Sequence, residues 1–370
     1  MGIKSWLRGF LLLLFTGSVC AQSFSTANFA LNSNTRFDTD ADKVVSTAAG
    51  SFAGRFVPIH EIRIQAAVTL DLPDTISFFH ALPALRSTGE LIFDGASISS
   101  PFILGSDFSL SAFTGLYDDP SSGSLLSELL KASLDPPEFH GMPAGHYFSA
   151  ETEIRGTGIA LTMVPGTSGF AIGSYACWNS QTGEESAVRG DLRVGYAGPL
   201  FTLNSFAGIN WLHNRERYSM RGGLSILLSH GDVYALYTSA GILDLTPGTG
   251  NPEKNLYFVF EPRLSWYSSN LTLSFFSSPV PATGRNYLGA NALFSVGKLD
   301  RDKMRAGISI LGSFDSQKPG EITPFSFSAS PFYSLMFGDM LFDITAVVKP
   351  LQFRHPASAI ELQLGIKAVY

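Results

Sequence analysis

Cysteine is almost missing from this chain. Only Cys20 and Cys177 occur in 370 residues, and Cys20 belongs to the N-terminal leader-like segment. No internal disulfide and no cysteine metal cluster can be built from what is left. Charge is scarce as well: Asp, Glu, Lys and Arg make up 15% of the residues, against about 25% in an ordinary soluble domain. The balance is acidic, with a net charge of −6, which argues against nucleic acid as a partner. After the leader there is no apolar run of the ~20 residues that a membrane helix needs. Phosphate-binding glycine loops, zinc spacings and nucleophile elbows are missing too. These absences exclude a disulfide scaffold, a helical membrane protein and the commoner enzyme motifs, and they leave no cofactor or metal to expect. Yet the chain is 45% hydrophobic, with 30 Phe, 12 Tyr and 36 Gly. That apolar surface must be accommodated without long apolar helices.

The first residues read "MGIKSWLRGFLLLLFTGSVCAQS". Lys4 and Arg8 precede a short apolar run, and Val19 and Ala21 occupy the small-residue positions before a cut. This predicts a signal peptide over 1–21 and export of the rest. Val19 is a poor residue before a lipidated cysteine, which weighs against lipid attachment at Cys20. Residues 22–370 then read as a single domain.

A period of two recurs along that domain. In 61–72, Ile62, Ile64, Ala66, Val68, Leu70 and Leu72 alternate with Glu61, Arg63, Gln65 and Asp71. In 187–196, Val188, Leu192, Val194 and Tyr196 oppose Arg189, Asp191 and Arg193. In 257–266, Phe258, Phe260, Pro262, Leu264 and Trp266 oppose Tyr257, Val259, Glu261 and Arg263. The stretches 303–314 and 339–349 repeat the pattern. Each list is one face of a strand.

The connections alternate strictly. Tight ones such as "LGSD" (104–107), "SHGD" (229–232) and "FGDM" (337–340) take turns with longer polar ones at 32–45, 73–89, 118–145, 180–186, 213–216, 245–255, 280–286, 315–322 and 351–356. In a meander, alternate turns lie at opposite ends. The fold predicted is all-β: a closed antiparallel up-and-down transmembrane β-barrel with short periplasmic turns and longer extracellular loops. The count is about 18 strands, or about 16 if 24–31 and 46–57 lie outside the membrane, with about 14 as a further alternative. Hydrocarbon has no partners for N–H and C=O groups, so the last strand must pair with the first. Trp178, Tyr196, Trp211, Trp266, Tyr267, Phe337 and Tyr370 fall near predicted strand ends, where interfacial aromatics belong.

Some stretches resist the pattern. In 147–164 the phase slips around Gly156 and Gly158, which predicts a β-bulge there. Segments 107–117 and 169–179 carry apolar residues in both phases. Pro262 and Pro331 sit inside predicted strands, where proline removes a ladder hydrogen bond.

The chain ends "AIELQLGIKAVY". This final two-faced strand resembles the assembly signal of bacterial outer-membrane β-barrels, with Leu364, Ile366 and Ala368 on the lipid side and Tyr370 at the terminal aromatic position, which in that family is more often Phe. The resemblance is architectural and porin-like. It implies an outer membrane of a diderm bacterium, with lipid and the barrel-assembly machinery as partners. It implies a channel for passive diffusion of small hydrophilic solutes, and no enzyme. Two alternatives stay open. A transporter of hydrophobic molecules would need an N-terminal plug, whereas strand-like sequence starts almost at the cleavage site. A surface adhesin or structural protein would act through its loops. General porins are trimers; no face of this sequence marks such a homo-oligomer contact.

Within that reading, two groups of residues stand out. The connection 118–145 is the longest, with Leu125, Leu126, Leu129, Leu130 and Leu134 beside the acids Asp118, Asp119, Glu128, Asp135 and Glu138. In general porins the third loop folds into the lumen and narrows it; the other arrangement is an outward loop capping the mouth. On the polar phase of the strands lie Arg63, Arg189, Asp191, Arg193, Arg221, Glu261, Arg263, Arg305 and Asp343. Facing an acidic loop, they would set a transverse field across a pore, or else pair among themselves and plug it. The seven histidines, His60, His80, His140, His146, His213, His230 and His355, all fall in predicted turns and read as surface residues.

Overall fold

The computed structural model describes residues 24–38, 43–59, 62–72, 90–101, 107–118, 125–137, 139, 153–166, 169–179, 187–212, 217–248, 255–278, 287–299, 301–315, 325–352 and 359–368. The expected signal peptide and the terminal Tyr370 lie outside them. The strands are β1 (Phe24–Asp38), β2 (Lys43–Ile59), β3 (Ile62–Leu72), β4 (Glu90–Pro101), β5 (Phe108–Asp118), β6 (Ile154–Met163), β7 (Phe170–Asn179), β8 (Ala187–Ala197) and β9 (Phe201–Leu212). They continue as β10 (Arg217–His230), β11 (Tyr234–Leu245), β12 (Leu256–Trp266), β13 (Ser269–Ser278), β14 (Tyr287–Val296), β15 (Met304–Asp315), β16 (Phe325–Phe337), β17 (Met340–Val348) and β18 (Ile360–Ala368).

Each strand pairs antiparallel with its sequence neighbours, and β1 pairs with β18 from Ala30↔Lys367 to Arg36↔Glu361. The 18-stranded sheet is therefore a closed up-and-down barrel. Closure leaves no free edge of unpaired N–H and C=O groups. The side chain of Asn34 on β1 donates to Glu361 on β18 at 2.7 Å, adding a polar stitch to the seam.

The alternation decides which side chains point out. Along β8, Val188 and Leu192 are exposed while Asp191 and Arg193 are buried. Along β12, Phe258, Phe260 and Trp266 point outward and Tyr257, Val259 and Glu261 inward. The outer wall is apolar from strand to strand: Ile64, Ile98, Leu110, Ile159, Ile209, Leu224, Phe275, Ile308, Tyr333 and Ile344 are all exposed on it. Aromatics gather at two levels. Trp178, Trp211 and Tyr218 lie toward the long-loop end. At the short-turn end Tyr196 packs between Phe170 (4.6 Å) and Phe201 (4.7 Å), with Trp266, Tyr267 and Phe337 further round.

The irregular stretches resolve into local causes. The bulge expected in 147–164 sits on the partner strand: the register slips between Leu116 and Asp118 of β5, opposite Arg155 and Ile154. Gly156 answers it with φ +142°, a conformation few other residues adopt. Strand β7 turns Tyr175 and Cys177 inward and Trp178 outward.

Both strand prolines point outward at places where one ladder lapses. Pro262 matches Leu236 of β11, but on the β13 side pairing jumps from Phe260↔Phe275 to Arg263↔Thr272. Across that gap the Ser274 hydroxyl donates to the Glu261 carboxylate. Pro331 matches Ile308 of β15, while pairing with β17 jumps from Ala329↔Val348 to Phe332↔Thr345. The missing proline N–H falls where no ladder bond is drawn.

One expectation is corrected. The connection foreseen over 32–45 is mostly strand: β1 runs to Asp38 and β2 begins at Lys43, leaving only 39–42 between them. The polar residues that suggested a loop are cross-strand partners, as where the Thr35 and Ser46 hydroxyls meet at 3.0 Å.

Candidate functional site

Among the described residues, polar side chains converge in the barrel interior, and its two sides differ. On the side formed by β7 to β16, the inward residues are mostly buried, large rings and aliphatic side chains alternating with serine and asparagine. Phe276 lies over Gly289, Tyr257 over Gly241 and Phe332 over Gly307, so that the rings lie flat against the wall. Serines fill the spaces between them. Ser309 donates to Asn291 at 2.7 Å, Ser313 meets Ser326 at 2.6 Å, and Ser225 meets Ser239 at 2.8 Å.

The long third connection lies against this side. Leu125–Leu129 forms one π-helical turn, and the chain then runs irregularly through 130–137 with Lys131 (φ 53°) and Asp135 (φ 44°) in left-handed conformations. Leu126, Leu134 and Phe139 pack on inward-facing Leu227, Tyr237, Val259, Phe276 and Leu311 from five strands. Gly195 on β8 makes room for the turn: a Cβ there would stand 3.1 Å from Leu126 and 3.2 Å from Leu125. Burying a leucine contributes about 1.5–3 kcal/mol, so this seam holds the segment inside the barrel. Of the two arrangements open for the loop, the described residues take the inward one.

Three carboxylates of this side, Asp118, Asp191 and Glu261, are each matched to an arginine. Asp118 is the last residue of β5, at the root of the loop. It accepts from the Tyr175 hydroxyl at 2.7 Å and meets Arg193 at 3.5 Å, with both ionic side chains 1% exposed. Arg221 and Asp191 form a two-pronged pair at 2.8 Å, equally buried. Glu261 takes Arg263 at 2.8 Å, and the same guanidinium donates to the Asp135 backbone carbonyl, tying loop to wall. Three guanidiniums also stack on rings: Arg193 on Tyr175 at 5.5 Å, Arg263 on Tyr237 at 5.6 Å and Arg305 on Phe332 at 5.2 Å. Such stacking suits the weakly hydrated guanidinium.

The other side, from β17 through β18 and β1 to β4, is lined by small and polar residues such as Thr47, Ala49, Ser51, Ala53, Ser97 and Gln363. Arg63 on β3 and Asp343 on β17 lie on the inward phase there, between outward Ile64 and Ile344. Glu361 accepts from Asn34, Lys349 and Gln363. On the β7–β16 side, Arg189 is inward on β8, and its Nε has no hydrogen-bond partner among the described residues.

Of the acids expected in the loop, Asp118 is held in the wall and Asp135 is exposed inside the barrel. Asp119, Glu138 and the Glu128 side chain lie outside the described residues. On β18, Leu364 and Ile366 point outward and Ala368 is buried. Among the histidines only His230 is described, exposed at a strand end. Sequence reasoning missed Tyr175, Arg55 and the apolar seam. The seam left a trace: Tyr257 and Val259 already stood in the otherwise polar phase of their strand.

The architecture is that of a porin-like β-barrel. No family model matches the chain, and no curated protein matches its sequence. Among solved structures it is similar to the Pseudomonas aeruginosa protein OpdL, at 9% identity and a TM-score of 0.54, over 92% of this chain and 97% of that one. A mutant of the Rh. blastica porin is similar over 93% of this chain and 99% of its own, at 9% identity and a TM-score of 0.47. The likeness to OpdL concerns the fold; no weight rests on the second.

Proposed function

We propose that the protein is an outer-membrane channel through which small hydrophilic solutes diffuse, with the inward loop narrowing its bore. One observation carries this reading: the wall is one strand thick and apolar outward, while its inner face carries the charged and polar side chains, with an apolar patch where the described loop segment docks. Water would leave the outer face unsatisfied, whereas hydrocarbon suits it and forbids an open sheet edge. A barrel of 18 strands is also wider than side chains alone can fill. The loop seats on one side, and the small polar residues of β17 to β4 line the other. Arg63, Arg189, Arg193, Arg221, Arg263 and Arg305, with Asp191, Glu261 and Asp343, would set the field in the bore. Asp135 would face them from the loop. Lipid surrounds the barrel, and the outward residues of β18 would be read by the assembly machinery.

Reconstitution in planar bilayers tests the proposal. Folded, heat-modifiable protein should give stepwise conductance. Its absence would point instead to a closed barrel acting through its outer loops. Asp135→Lys should shift selectivity toward anions; an unchanged reversal potential would remove Asp135 from the path.

A further inference from the structure

Strand register builds a recess into the wall formed by β2 to β5. Ala53 of β2, Ala67 of β3, Gly95 of β4 and Gly115 of β5 stand side by side across four strands, through Ala53↔Ala67, Ala67↔Gly95 and Gly95↔Gly115. None carries a side chain larger than methyl. The two glycines are fixed by the backbone: Gly115 has φ +83°, and a Cβ on Gly95 would meet the Leu116 carbonyl oxygen at 2.6 Å. One row toward the short-turn end, Arg55, Gln65 and Ser97 are direct neighbours through Arg55↔Gln65 and Gln65↔Ser97. The result is a cavity of about 310 Å³ with a small-residue floor, whose rim holds a guanidinium, an amide, a hydroxyl and Tyr117. None of the described residues of 125–139 lines it.

The electrostatics are unlike those of the loop-bearing side. Arg55 has no carboxylate within salt-bridge distance among the described residues, and its buried Nε has no hydrogen-bond partner there. Arg63 lies one row further on the same face, opposite Ser99, and likewise has no described carboxylate partner. Asp94, held by the Thr69 hydroxyl at 2.5 Å, lies toward the long-loop end and is not among the lining residues. A buried guanidinium edge without a partner is costly, and a planar fork suits the paired oxygens of a carboxylate or phosphate.

We propose that this recess binds a small oxyanion, a carboxylate or inorganic phosphate, in the fork of Arg55 with Gln65 and Ser97 beside it. The site deepens the channel reading by naming a solute class and its resting place in the bore; binding itself does not require conduction. The test is calorimetric titration of the purified full-length protein, folded in detergent at low ionic strength, with acetate and with inorganic phosphate separately. Saturable binding of one anion per barrel is expected. Arg55→Gln should weaken it about tenfold or more, the scale of one lost charge-assisted fork. Ala67→Leu, which fills the floor and leaves every polar group in place, should do the same. Preference for acetate identifies carboxylate solutes, and preference for phosphate identifies phosphate. No saturable binding, or equal binding by folded wild type and either folded variant, overturns the site. Conductance of the same wild-type preparation is read in parallel: binding without conductance keeps the site and removes the channel, and conductance without binding removes the site alone.

Discussion

The two sides of this barrel use arginine in opposite ways. On the β7–β16 side, Arg193, Arg221 and Arg263 are each matched to a carboxylate, and rings lie beneath two of them. On the β17–β4 side, Arg55 and Arg63 stand among Ala, Gly, Ser and Gln without a described carboxylate partner. The paired side also carries the loop. Pairing cancels charge where an apolar segment has to dock, because an uncompensated ion beneath leucines would be expensive. On the side that nothing described covers, Arg55 and Arg63 keep no such partner among the described residues. The wall beneath the loop is bulky and pairs its carboxylates with arginine; the β17–β4 wall is small-residued and leaves its arginines unmatched by any described carboxylate.

Breaking a neutralised pair should show the largest effect. Arg221→Met strands the Asp191 carboxylate in a site 1% exposed and should cost about 3–5 kcal/mol of folding stability, the scale for halving a buried ion pair. Urea titration of protein folded into lipid vesicles reads it. Leu134→Ala should come next, at about 2–5 kcal/mol if the loop seam contributes to global stability. A much smaller loss together with a larger single-channel conductance would mean that the loop lifts independently of the wall. Placing charge on the apolar outer face, as in Ile308→Arg, should cost about 2–4 kcal/mol in the same vesicles. No cost there would place the outer wall in water. The smallest loss belongs to the open side: Arg55→Met breaks no described ion pair and removes a buried Nε that has no partner among the described residues, so it should not lower stability. A loss near that of Arg221→Met would erase the distinction between the sides.

Much of this was legible in the alternation, because a strand between two solvents must sort its residues by period two. The segments 61–72, 187–196 and 257–266 read correctly for that reason, and the strand count of 18 followed from the rhythm of the turns. The first hairpin read less well. Residues 32–45 carry Asn, Thr and Asp, and polar strand extensions beyond the apolar belt look like loop to any rule based on hydrophobicity. The loop's position needed contacts between residues far apart in sequence. Leu126 meets Phe276 and Leu311 only after the barrel has closed. Arg55 escaped notice because 46–57 is built of Ala, Gly and Ser, whose faces differ too little for the period to show. The recess there comes from register across four strands, which no single segment records.

The central claim is that water runs along the β17–β4 side while the loop seals the other. It is tested by single cysteines in a Cys177→Ser background, Ala49→Cys on β2 and Ser309→Cys on β15, exposed in planar bilayers to a charged, membrane-impermeant thiol reagent. The account predicts that the reagent lowers the current through Ala49→Cys and leaves Ser309→Cys unchanged. Equal modification of both positions, or of neither, would contradict it.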